Sequence, residues 1–144
     1  MKSKHLRLAL PIVAVLALAA VGSTQIKQVI KLVGVSAAVK QFGPDMNRAL
    51  NKLVKHTDTN DSFTKVVPII SLGNDRNAIG AVQVKGAKIN VEKVQAVAAP
   101  QVNLFGREIQ IRGLIPIAET SVKSIDDIKA VPGVGVSGIV DLKL

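Results

Sequence analysis

The hydrophobic period changes from helical to extended near residue 63. From Ile26 to Phe42, apolar residues recur at 26, 29, 30, 33 and 37 and again at 32, 35, 39 and 42. This is helical spacing with only a narrow polar arc around Lys27, Lys31, Ala38 and Gln41. A helix of this kind has to be covered on most sides. Gly43-Pro44 predicts its end, and Pro44 suits the first turn of a second helix reaching about His56. That second helix is amphipathic, with Met46, Ala49, Leu50, Leu53 and Val54 on one face and Arg48, Asn51, Lys52 and Lys55 on the other. The two read as a basic helical hairpin over 23–57. Residues 57–62, rich in Asp, Asn and Thr, read as a solvated loop.

Beyond Phe63 the pattern predicts strands. Residues 65–72 and 78–85 are rich in Val and Ile and are bounded by Gly73-Asn74 and Gly86. Pro68 inside the first predicts an edge strand. A weak repeat follows: 90–97 aligns with 124–131, 34 residues on, and each copy opens with a helix-capping residue and continues at helical spacing. Between the copies, 101–105 and 108–117 flank Gly106-Arg107, the pattern of a two-residue hairpin turn. After Pro132-Gly133 the chain alternates to its end. Val134, Val136, Val140 and Leu142 are predicted on one face, with Gly135, Ser137, Asp141 and Lys143 on the other. The predicted fold is α+β: an N-terminal helical hairpin, then a small sheet with two short helices over 63–144.

Before residue 23 the order is Lys2, Lys4, His5 and Arg7, an apolar run from Leu8 to Val21, and then small residues. That order predicts a secretory signal peptide over 1–22 and an exported protein, periplasmic or extracellular, with retention as a membrane anchor the competing reading. The run is shorter than the roughly 20 residues of a membrane-spanning helix. Without Lys2, Lys4 and Arg7, 16 basic residues remain against 10 acidic ones, a net charge of +6. Residues 23–56 hold six basic residues against Asp45, whereas 57–144 hold ten against nine. The positive excess therefore belongs to the helical segment. The aromatics are only Phe42, Phe63 and Phe105, so Val, Ile, Leu and Ala must build the core.

From residue 90 the predicted order is helix, strand, strand, helix, strand. Gly106, Ile109, Ile111, Gly113 and Ile115 form a Gly-led hairpin followed by an alternating apolar strand, and Val131-Pro132-Gly133-Val134 joins the last helix to Val140 and Leu142. In these features residues 90–144 resemble the BON domain of exported bacterial proteins. The resemblance implies a βαββαβ or αββαβ order and a contact with envelope lipid. The chain departs from the family at Pro116 and in the long basic region ahead of the domain.

The candidate chemistry is sparse. Cys is absent, which excludes disulfides, thiolate metal sites and Cys nucleophiles. Gly133, Gly135 and Gly138 match a GxGxxG motif, but too few residues follow to supply the phosphate-binding helix and its acidic ribose partner. Residues 128–135 resemble a helix-hairpin-helix DNA turn, which would need 136–144 to be helical. His56 is the only His after the signal segment and has no evident catalytic partner. Asp126 and Asp127 suit the first turn of a helix. The reading is a non-enzymatic protein with no catalytic, cofactor or metal site. Its candidate binding residues are Lys27, Lys31, Arg48, Lys52 and Lys55, facing an anionic phospholipid surface or an envelope protein. Nucleic acid is disfavoured because stacking aromatics are lacking. The second reading is a structural protein that self-associates through the apolar helix 26–42.

Overall fold

The computed structural model describes residues 26, 28–30, 34–72, 78–119, 124, 126 and 128–142. Among them a single helix exceeds seven residues: α1, Val35–Leu53. It runs through Gly43-Pro44, so the predicted corner at that pair does not form. Proline in a helix interior removes one N–H and crowds the residue before it. Here that residue is Gly43, which has no Cβ to meet the ring. A Cβ there would also sit 3.2 Å from the Val66 carbonyl oxygen, so Gly43 lets the helix lie close on the sheet. The chain instead turns at Gly34, whose φ of 90° disfavours residues with a side chain. Across that turn Val29 packs against Ala38 and Phe42.

Six strands follow: β1 (Phe63–Leu72), β2 (Ala78–Gly86), β3 (Ala96–Leu104), β4 (Ile109–Arg112), β5 (Ile115–Ile117) and β6 (Val134–Val140). Their order is β4-β3-β1-β2-β6, and β5 also pairs with β3. β1 and β3 are parallel and the other pairs antiparallel. The protein is thus a curled mixed sheet with one long helix. It is not a helical hairpin followed by a small sheet, nor the βαββαβ or αββαβ order of the BON resemblance.

Three further expectations need correction. β1 is central rather than an edge strand, although its pairing with β3 starts only at Ile69, so Pro68 lies in a half-strand paired on the β2 side alone. The repeated segments are not two helices. The first is a single turn, α2 (Lys88–Val91), after which Ala96–Ala99 is drawn into the sheet between β1 and β5. In the second, Ala130 bridges to Ile117 and the chain is not α-helical at its described positions. Burial between two strands overrides the helix propensity of the alanines.

The third concerns β6. Gln83 pairs with Gly138 but Val84 with Val136, so Ser137 is an extra residue, a β-bulge. The bulge divides the predicted single face. Val134 and Val136 pack with Val82, Val84, Val97 and Val131 on the face away from α1. Val140 packs with Val39, Val66 and Ala81 beneath α1.

Candidate functional site

Of the predicted binding residues, Arg48 and Lys52 sit on the solvent side of α1 and Lys55 just past its C-terminal end. Arg48, Lys52 and Lys55 are exposed, while Lys27 and Lys31 lie outside the described residues. Arg48 is paired with Asp45, one turn earlier. Among the described residues, neither Lys52 nor Lys55 has a carboxylate within 4.0 Å. Lys55 closes the helix at φ 57° while His56 returns its N–H to the Asn51 carbonyl at 2.8 Å. That closure is the usual way a helix end satisfies its last carbonyls. Leu53 and Val54, which the sequence pattern assigns to the buried face, are 77% and 53% exposed between these cations.

The reason is a rotation of α1 about its axis. Its inner face carries Asn47 and Asn51 beside Met46 and Leu50, and the two amides meet polar groups buried in the sheet. Gln83, 1% exposed on β2, donates through Nε2 to Asn47 Oδ1 at 2.9 Å and to Asn51 Oδ1 at 2.8 Å. Thr64 Oγ1 accepts from Asn47 Nδ2 at 3.0 Å and from Asn51 Nδ2 at 2.9 Å, and donates to Asp58 Oδ1 at 2.6 Å. The bulged Ser137 donates to Gln83 Oε1 at 2.7 Å. His56 Nε2 reaches Asp58 Oδ1 at 3.2 Å and the Ser62 carbonyl at 3.1 Å. This satisfied network fixes how the helix docks. The only sequence signal for it is the Asn47/Asn51 spacing of four, and sequence reasoning puts Asn51 on the outer face.

Next to the network, a groove of about 430 Å³ runs along the half of β1 that β3 leaves unpaired, between Lys40, Gly43 and Pro44 of α1 and Lys65, Pro68 and Gln95. Lys65 Nζ donates to the Val94 carbonyl at 2.7 Å across the strand edge. Burial, then the charge of Lys40, lowers its pKa, and Glu92 opposes the shift. The lining of the groove is mostly apolar, with Lys40, Asn47, Lys65 and Gln95 among its polar residues.

Among the described residues no three His, Asp or Glu side chains are grouped to hold a metal. Gly133 lies in a turn and Gly135 and Gly138 within β6, so the GxGxxG residues do not open a helix, and 134–140 is not the helix that a DNA hairpin motif requires. Ala38, Val39 and Phe42, part of the predicted self-association surface, are buried within the chain. No described helix is long and apolar enough to cross a membrane. No protein-family model, curated protein or solved structure matches the chain.

Proposed function

We propose that the protein is an exported, non-enzymatic module that rests on an anionic membrane surface through the outer end of α1. One observation carries this reading: Leu53 and Val54 are exposed between Lys52 and Lys55, with Arg48 one turn back. An apolar pair set among cations is the pattern of an interfacial helix, which sinks its apolar side chains to headgroup level while the cations meet lipid phosphates. Each Lys near such a surface contributes about 1 kcal/mol, and burying a Leu about 2 kcal/mol. The full set is needed for stable attachment.

Co-sedimentation with vesicles tests it. The full chain pellets with phosphatidylcholine vesicles containing phosphatidylglycerol, pellets far less with pure phosphatidylcholine, and releases as salt screens the contact. Replacing Arg48, Lys52 and Lys55 by Gln abolishes most of the binding. The same triple change leaves unfolding within about 0.5 kcal/mol of the parent, because these side chains are solvated in the free protein. A triple variant that pellets like the parent, or a parent indifferent to lipid charge, sinks the reading.

A further inference from the structure

We propose that the free edge of β4 pairs with β4 of a second copy of this chain, antiparallel and centred on Gln110. β3 keeps one register with its partners, from Leu104 opposite Ile109 to Ala96 opposite Ile117. Within it Gly113 donates its N–H to the Pro100 carbonyl at 2.8 Å. Hydrogen-bonded and non-bonded pairs alternate along an antiparallel ladder. Ile109 and Ile111 therefore turn their backbone groups towards β3, and Gln110 and Arg112 turn theirs to the open edge.

Two of the sheet's other open edges among the described residues are guarded. The open half of β1 carries Pro68, and Lys65 reaches across it to Val94; β6 carries the bulge at Ser137. Such devices keep edges from pairing with other chains. β4, Ile-Gln-Ile-Arg, has no proline, lysine or bulge. It belongs to a hairpin whose one face is Val102, Leu104, Ile109 and Ile111, all exposed, with Phe105 74% exposed at the turn. An apolar edge of this kind is a template for another strand.

The occupant follows from the register. Two copies related by a two-fold axis at Gln110 place Ile109 opposite the partner's Ile111 on the apolar face. On the other face the same register sets Glu108 opposite the partner's Arg112. A slip of one residue sets Ile109 against the partner's Arg112 and loses both matches. The two-fold pairing also closes on itself, giving a dimer rather than a fibre.

Sedimentation velocity on the full chain in lipid-free buffer, over a concentration series, tests the pairing. The parent shows a monomer–dimer equilibrium. Gln110→Pro removes only an outward N–H, which edge strands tolerate, so its circular dichroism and unfolding match the parent while dimerisation weakens by at least about tenfold. Glu108→Arg and Arg112→Glu each weaken the dimer by roughly tenfold, since like charges then face each other at two symmetric positions. The double variant restores parental association. If Gln110→Pro disturbs the fold, the charge variants decide. A parent that stays monomeric, a folded Gln110→Pro that associates like the parent, single charge variants without effect, or a double variant that recovers nothing overturns the proposal.

Discussion

The base and the tip of the β3 hairpin share an alternation and a register yet stand in opposite surroundings. At the base, Ala96, Ala98 and Ile117 are buried with Ile70 and Leu72, and Ile128 lies against them. At the tip, Val102, Leu104, Ile109 and Ile111 occupy the same face and are exposed. An apolar stripe states which face of a strand is fit to be covered. Whether anything covers it depends on where the rest of the chain goes, and that is a matter of topology. A second contrast runs between the edges: Lys65 and Pro68 guard β1, and nothing comparable guards β4.

The hairpin contrast can be broken with one pair of truncations. Ile117→Ala, at 1% exposure, removes core methylenes and leaves a cavity, and should cost about 3 kcal/mol in denaturant unfolding. Ile111→Ala should cost at most about 1 kcal/mol in the monomer, because its side chain is already 47% exposed in the fold. Equal losses would mean that the tip is as covered as the base. Gln83→Leu sharpens the covered side next. It removes the acceptor of Ser137 and the donor to the amide oxygens of Asn47 and Asn51, whose N–H groups keep Thr64, and should destabilise by about 2 kcal/mol. Preserved stability would show that the helix docks by apolar packing alone.

Smaller effects concern the exposed helix end and the guarded edge. Lys55 holds a left-handed conformation that suits glycine, so Lys55→Gly should raise stability by about 0.5 kcal/mol while lowering vesicle binding, a separation of fold from surface visible in two assays. At Lys65, burial and Lys40 hold the pKa below its ordinary 10.5. Between the lowered value and 10.5 the unfolded chain keeps a proton that the folded one has released, so this group makes stability rise with pH in that window. Lys65→Met should flatten that part of an alkaline thermal-unfolding series. An unchanged slope would mean that the ammonium at the β1 edge is as well solvated as a surface lysine.

Much of the element content was legible along the chain. The strands read at 65–72, at 78–85 and from 134 onward, and the hairpin around Gly106, follow from runs of Val and Ile between turn residues, because alternation and turn chemistry are local; in the fold they span 63–72, 78–86 and 134–140. The hairpin turn is wider than its Gly106-Arg107 signal suggests, with Phe105 and Gly106 both at positive φ. Of the predicted binding residues, Arg48, Lys52 and Lys55 are exposed as helix polarity implies. The exposure of Leu53 and Val54 was hidden because the pattern takes every apolar side chain for a buried one.

By itself, then, the sequence determined that residues 65–72, 78–85 and the stretch from 134 are extended, where the positive charge gathers, and that Val, Ile, Leu and Ala must form the core. Each of these depends on neighbours in the chain, through backbone preference, side-chain alternation and charge. Only the tertiary structure decided that α1 passes through Pro44, since that required Gly43 to lie against the Val66 carbonyl. The same holds for the Ser137 bulge, which sends Val136 and Val140 to opposite faces, and for the rotation of α1, which Gln83 and Thr64 impose through Asn47 and Asn51. These outcomes rest on contacts between segments 13 to 54 residues apart, which a local pattern cannot encode.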